Sequence, residues 1–389
     1  MKKVILAYSG GLDTSCAIKW LKEKGFDVIC FIADLGQGDD FDKIETRGLA
    51  AGASKVYIKD LRAEFVENFV TPALKANAIY EGKYLLATAL GRPLIAKYLV
   101  EVAHKEKASY ISHGCTGKGN DQVRLELSVS ILDPKLNIIA PLREWNFKSR
   151  EEEIEYAKNS NIPIDVTKKR PYSIDKNIWG ISIEAGVLED IEKEPPEDAY
   201  ILTKNPARVS ETSRYVEIYF EKGIPAKLDG KSVKFIDMIE TLNKIGAIYG
   251  IGRSDLIENR LVGIKSREIY EAPAATIFYA AHKELENLVL DRELAHFKEL
   301  VALKYSELVY YGLWFSRLKE ALDKFVDSTQ KFVTGSVKLK LSGGYCAPVL
   351  RKSEHSLYKK EMATYTKDDK FDHSLAEGFI KIFGMPYHK

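Results

Sequence analysis

The sequence predicts an α/β protein: a parallel sheet with helices on both faces, then a second domain of α+β type and a terminal helix. Three observations carry this expectation. Strand-like apolar runs recur at residues 3–8, 27–33, 55–60 and 108–113 with helical patterns between them, the alternation that a parallel sheet produces. At 389 residues the chain exceeds one ordinary core, so two domains are expected. Past residue 165 the alternation gives way to unevenly spaced strands and helices.

The first run, Val4-Ile5-Leu6-Ala7-Tyr8, enters Ser9-Gly10-Gly11-Leu12-Asp13-Thr14-Ser15, and the periodic Ala17, Ile18, Trp20 and Leu21 follow. This reads as strand, tight turn and helix. Gly10 and Gly11 put no side chain between a ligand and the backbone and tolerate positive φ, so successive N–H groups can point into one concavity. The positive end of the next helix and the hydroxyls of Ser9, Thr14 and Ser15 add to a phosphate site. A bare carboxylate at Asp13 would repel phosphate, which implies a cation between them. The spacing excludes a P-loop, which needs four residues between its glycines and a Gly-Lys-Ser/Thr end.

In a parallel sheet, ligands gather beyond the carboxyl ends of the strands. Besides the loop at Ser9, that marks Ala33-Asp34-Leu35-Gly36 and His113-Gly114-Cys115-Thr116. Between the third and fourth strands, Tyr84 to Pro93 is helical, and Pro93 is best placed as the start of a new helix carrying Leu94, Ile95, Tyr98, Leu99 and Val102. The loop at 114–121 ends in Asn120 and Asp121, and a helix starting there puts Arg124 on their face. Ser149, followed by three glutamates, caps a further helix. A break follows near Ile162-Pro163-Ile164, before Lys168-Lys169-Arg170 and Pro171. In the second half, Tyr215–Phe220 and Val333–Leu341 alternate as strands, while Phe235–Ile245 and residues 281–325 read as helical. Ser374–Phe383 carries an apolar stripe at helical spacing, suited to packing on another subunit or on its own domain. The expected division is 1–165, 166–360 and 361–389.

A formal charge of +2, with no long basic stretch, gives no reason to expect a nucleic-acid partner. Cys16, Cys30, Cys115 and Cys346 are scattered, suggesting neither a zinc site nor a disulfide framework. The amino terminus runs straight into the first strand and no apolar segment approaches membrane-spanning length, so a cytoplasmic protein is expected.

The Ser9–Ser15 loop resembles the SGGxDS/T loop of the ATP-pyrophosphatase superfamily, whose members break ATP between the α and β phosphates. That implies a Rossmann-like, adenine-nucleotide α-hydrolase-like fold. Over nearly its whole length the chain further resembles the argininosuccinate synthase family. The resemblance is carried by AYSGGLDTS at 7–15, ADLGQG at 33–38, YLLATALGRPLIAK at 84–97, HGCTGKGNDQVR at 113–124, KRPYSID at 169–175, SIEAGVLED at 182–190, GRSDLIENRLVGIKSREIYEAPA at 252–274 and EGFIKIFG at 377–384.

The resemblance implies ligation of citrulline to aspartate through a citrullyl adenylate, with AMP and pyrophosphate released. It assigns ATP to Ala7, Tyr8, Ser9, Gly10, Gly11, Leu12, Asp13, Thr14, Ser15, Ala33 and Gly114. Citrulline falls to Tyr84, Asn120, Arg124, Ser173, Ser182, Glu258 and Tyr270, and aspartate to Thr116, Asn120 and Asp121. Within these sets Arg124 and Asn120 suit the citrulline carboxylate and Glu258 its ammonium group. Asp13 and Asp121 are the candidate catalytic side chains. Mg²⁺ is expected to arrive on the ATP phosphates, without a dedicated protein cage. A homotetramer tied by the carboxyl-terminal segment is also implied. The chain departs from the family at Ala89, where serine is usual, and at Gly91, where alanine is common; Thr88 is the available substitute for the missing hydroxyl. A tRNA-modifying enzyme with the same loop is the alternative, against which stand the near-neutral charge and the lack of paired cysteines. A non-catalytic nucleotide sensor would have no use for Ser173, Ser182, Glu258 and Tyr270.

Overall fold

A computed structural model describes residues 1–147, 149–163, 172–209 and 212–388. The basic triplet at 168–170, Pro171 and the expected boundary at 165 lie outside the described residues. The first half is a five-stranded parallel sheet in the order β3-β2-β1-β4-β5. Its strands are β1 (Lys2–Ala7), β2 (Phe26–Asp34), β3 (Lys55–Asp60), β4 (Tyr110–His113) and β5 (Asn137–Ile139). Both faces of its centre are covered, so the strands are apolar at successive positions rather than at alternate ones. Val4 and Leu6 pack with Cys16, Ile18 and Leu21 of the helix Leu12–Glu23. Ile5, Ile29 and Phe31 pack on the other side with Leu90, Leu94 and Leu99 of the helix Ala87–Glu106. The chain runs outward from β1 through β2 to β3, then returns to the far side of β1 as β4. The crevice between the ends of β1 and β4 is therefore the switch point at which such sheets bind ligands.

Pro93 does not begin a new helix: Ala87–Glu106 is continuous with Pro93 inside it. A proline there forfeits one backbone bond and crowds the carbonyl four residues back. Here that residue is alanine, Ala89, and Leu90, Pro93, Leu94 and Ala96 are all buried, so tertiary packing overrides the local break.

The second half holds two antiparallel sheets. One has the order β11-β12-β7-β6, built from β6 (Ser173–Asn177), β7 (Gly180–Glu184), β11 (Arg253–Asn259) and β12 (Lys265–Glu271). The other, β10-β9-β8-β13-β14, comprises β8 (Arg214–Glu221), β9 (Ile224–Leu228), β10 (Lys231–Ser232), β13 (Gly335–Ser342) and β14 (Tyr345–Lys352). The helices Phe235–Ile248, Pro273–Val289, Arg292–Tyr310 and Arg317–Thr329 complete it. The terminal helix Ser374–Gly384 forms as expected but buries none of its residues, leaving Leu375, Phe379, Ile380, Ile382 and Phe383 exposed. Docking on its own domain is thus not observed among the described residues.

Candidate active site

The turn after β1 is fixed by its neighbours. Gly10 has φ +75°, and a Cβ there would lie 2.8 Å from the Ile44 side chain. Arg47 Nη1 donates to the Gly10 carbonyl at 2.6 Å, tying the loop to the helix Phe41–Ala50. Gly11 is the extended N-cap of Leu12–Glu23 and has no side-chain cap of its own, which leaves the first-turn N–H groups to an anion. Ser9 Oγ and Thr14 Oγ1 are 3.2 Å apart. Ser15 is fully buried and its hydroxyl meets Tyr8 Oη at 3.1 Å, so it braces the loop from behind. On the facing strand end, a Cβ at Gly114 would lie 2.6 Å from Thr14 Cγ2, a spacing that admits only glycine without movement.

The loop opens into a cleft of 810 Å³ between the parallel sheet and the four-stranded antiparallel sheet. Ala7, Tyr8, Ser9, Gly11, Asp13, Thr14, Ala33 and Gly114 line one end. Tyr84, Thr88, Thr116, Asn120, Asp121, Arg124, Ser173, Ser182, Glu258 and Tyr270 line the rest. Gly10, Leu12 and Ser15 belong to the loop but do not line the cleft.

Strand register explains how residues so far apart in sequence converge. Ser182 pairs with both Tyr270 and Asp175, and paired residues project from the same face of a sheet. Ser173, Glu184, Glu258 and Glu268 are even numbers of residues from these and share that face, while Ile181, Ile183 and Ile269 pack on the other against Leu188 and Ala199. The polar face looks onto the helix Ala87–Glu106, where Thr88 Oγ1 lies 2.8 Å from Ser182 Oγ. Ala89 is buried and outside the cleft lining, its N–H donating to Tyr84 Oη at 3.1 Å, so Thr88 rather than residue 89 presents a hydroxyl here.

Asn120 to Leu132 forms a helix as expected, and Arg124 Nη1 donates to Asp121 Oδ1 at 2.8 Å. Far from a solvated pair, Arg124 is 4% exposed; its Nε donates to the Tyr310 carbonyl at 2.8 Å, and Nη2 is buried with no protein partner. Asn120 donates to Tyr310 Oη at 2.7 Å and accepts from Leu261 N–H at 2.9 Å, tying this helix to the second half. Tyr310 and Tyr270 both donate to the buried Glu258. Burial raises the Glu258 pKa above the ordinary carboxylate value, although the two tyrosine hydroxyls, Arg124 and Arg260 oppose it. Burial acts on Asp121 too, but the charges of Arg92 and Arg124 prevail and hold it down at about 2. Among the described residues no group of three or more His, Cys, Asp or Glu side chains is placed to hold a metal ion.

Two family models fit this chain. One, described as the Arginosuccinate synthase N-terminal HUP domain, matches residues 3–163; the other, the Arginosuccinate synthase C-terminal domain, matches 172–389. The chain belongs to the argininosuccinate synthase family. Relatives named argininosuccinate synthase include that of Dictyoglomus turgidum, 58% identical over 99% of this chain and 96% of the relative. Those of Pelotomaculum thermopropionicum and Caldanaerobacter subterraneus are 54% and 57% identical, each over 99% of this chain and over 96% and 94% of the relative.

Several cleft residues of this family member were not singled out from sequence. Arg92 lies one helical turn beyond Thr88, and its Nη2 donates to Asp121 Oδ2 at 2.7 Å and also to Asp175. Arg260 donates to Glu184 and Glu268. His113, at a strand end that the sequence itself marks, is buried; its Nδ1 accepts from Cys115 N–H at 3.2 Å, which leaves Nε2 to donate to Glu126 at 2.9 Å. Arg92 carried a signal, its four-residue spacing from Thr88. Asp175, Glu184 and Glu268 each sit two residues from a named position, on the same strand face.

Proposed function

We propose that this chain ligates citrulline to aspartate in arginine biosynthesis, activating citrulline with ATP as citrullyl-AMP and releasing AMP and pyrophosphate. The observation that supports this reading is the single cleft in which the glycine loop faces a polar sheet wall, in a chain of this family. The loop, with Ala33 and Gly114 beside it, receives ATP. Arg124 Nη2, buried with an unspent donor, suits the citrulline carboxylate. Glu258 offers its remaining lone pairs to the ammonium group, whose charge favours the ionised carboxylate. Thr88, Ser173, Ser182, Tyr84 and Tyr270 fix the ureido end in line with the α-phosphorus, and Thr116, Asn120 and Asp121 receive aspartate.

In the first step the ureido oxygen attacks the α-phosphorus and pyrophosphate leaves with the electrons of the broken bond. In the second, the aspartate nitrogen bonds to the ureido carbon and AMP departs. Both steps depend mainly on alignment and charge neutralisation. Mg²⁺ carried by ATP supplies neutralising charge to the phosphates when bound. A lone carboxylate beside phosphate oxygens fits such an ion, and Asp13, in the first helical turn and on the cleft wall, would hold it. The exposed stripe of Ser374–Gly384 supports a homotetramer tied by this segment. No helix among the described residues is long and apolar enough to cross a membrane, and we assign the enzyme to the cytoplasm.

The test is incubation of the purified protein with ATP, Mg²⁺, citrulline and aspartate while following pyrophosphate. Continuous release that needs both amino acids is expected, with at most one equivalent per site from citrulline alone; release without citrulline, or none at all, defeats the reading. Loss of turnover when Mg²⁺ is chelated is expected as well.

A further inference from the structure

Two carboxylates, Asp121 and Asp175, share one guanidinium in the cleft. Arg92 Nη2 donates one hydrogen bond to each. Their surroundings differ. Asp121 has a second cation, Arg124, on its other oxygen, and two guanidiniums leave it little basicity. Among the described residues Asp175 has one cation, its share of Arg92, together with a hydrogen bond from the Thr88 hydroxyl. It pairs across the sheet with Ser182, whose hydroxyl meets Thr88, so it stands beside the polar row at the ureido end, with its side chain 37% exposed toward the cleft. Among the described residues the titratable and charged groups that face it are Arg92 from the helix Ala87–Glu106, Asp121 from the helix Asn120–Leu132 and Cys115 from the loop after β4.

We propose that Asp175 is the base that takes the proton from the aspartate ammonium group. The proposal rests on the ligase reading above and adds the group that makes the incoming nitrogen nucleophilic. The step balances as follows. One N–H proton of the ammonium moves to a carboxylate oxygen of Asp175, freeing the nitrogen lone pair. That pair forms the new bond to the ureido carbon of citrullyl-AMP, the carbon–oxygen bond breaks, and its electrons leave on the AMP phosphate. A second proton from the same nitrogen passes to water as the product guanidinium forms. Burial and the neighbouring Asp121 charge raise the Asp175 pKa against the opposing pull of Arg92, whereas that of Asp121 is lowered to about 2. Two carboxylates driven apart in this way divide the roles of base and fixed charge.

The experiment separates the two half-reactions. Exchange of labelled pyrophosphate into ATP, with citrulline and without aspartate, reads adenylation; formation of argininosuccinate reads both steps. For Asp175→Asn we expect exchange within threefold of the unmodified protein. Argininosuccinate formation should fall by roughly 10²–10⁴-fold, the usual contribution of a positioned base. The rise of kcat with increasing pH on the acid side, expected in the unmodified protein as the base ionises, should vanish. Asp175→Glu should retain that rise at a shifted pH. Exchange falling in parallel with synthesis, or a pH profile of Asp175→Asn that keeps the acid-side rise, overturns the proposal. Synthesis unchanged in Asp175→Asn overturns it while leaving the ligase reading intact. Absence of citrulline-dependent exchange in the unmodified protein overturns the ligase reading, and this proposal with it.

Discussion

Replacing Arg124 by alanine is the sharpest test of the substrate end of the cleft. The side chain makes two hydrogen bonds within the protein, to Asp121 and to the Tyr310 carbonyl, and stacks 4.6 Å from the Tyr310 ring centre. Its third nitrogen, Nη2, is buried without a protein partner. A charge-assisted hydrogen bond to a carboxylate contributes about 1.5–3 kcal/mol. If Nη2 makes one to citrulline, its loss weakens citrulline binding by roughly 10- to 150-fold. Breaking a buried ion pair costs about 3–5 kcal/mol when the remaining charge is stranded. Asp121 is not stranded here, because Arg92 still donates to it at 2.7 Å. The folding cost should therefore fall below that range, and the protein should remain folded. Calorimetric titration with citrulline in the presence of a non-hydrolysable ATP analogue reads the first quantity, and urea unfolding reads the second. Citrulline affinity within threefold of the unmodified protein refutes the assignment of Nη2. Equal loss of nucleotide and citrulline affinity also refutes it, by showing that Arg124 supports the cleft as a whole.

Further expectations concern the loop, the acid range and the terminal arm. Gly114→Ala places a Cβ 2.6 Å from Thr14 Cγ2, an overpacking worth about 1–3 kcal/mol, and Thr14→Ser should recover most of it by removing that methyl; melting curves of the single and double variants showing simple additivity would contradict this contact. Asp13→Ala should abolish pyrophosphate release without lowering the melting temperature, and undiminished release would remove Asp13 from the phosphate account. The folded-state pKa of Asp121 is depressed to about 2, so its contribution to stability is present above the unfolded pKa of about 3.9 and is lost as pH falls through 2. That shift corresponds to about 2–3 kcal/mol, and Asp121→Asn should flatten the acid limb of stability when unfolding is followed between pH 5 and 2. Deletion of residues 361–389 should reduce the number of subunits measured by light scattering; an unchanged subunit number would assign assembly to another surface.

The two ends of the cleft differ in how far sequence reveals them. The phosphate end is contiguous: strand, glycines, hydroxyls and helix follow one another within a few residues, and each contributes through local geometry. Gly10 at φ +75° and the uncapped N-terminus at Gly11 are what that order of residue types requires. The substrate end is not contiguous, because Asp175, Ser182 and Tyr270 become neighbours only once β6, β7 and β12 pair in one register. Side chains alternate along a strand, so a register one residue different would turn Ser182 and Tyr270 away from the cleft and put Ile183 and Ile269 in their place. Residue types alone cannot supply that parity before the pairing is known. Pro93 failed as a boundary marker for a related reason, since its local preference was weighed without the buried packing that keeps the helix intact. Tyr310 had no local signal at all: it ends a helix far along the chain, yet it receives Asn120 and donates to Glu258, joining the two halves of the site. Long-range pairing thus converts scattered polar residues into a wall, and the same pairing sets Asp175 across from Asp121 with one guanidinium between them. Because that juxtaposition depends on register, a change that slips β6 against β7 should disable synthesis even with every cleft side chain retained.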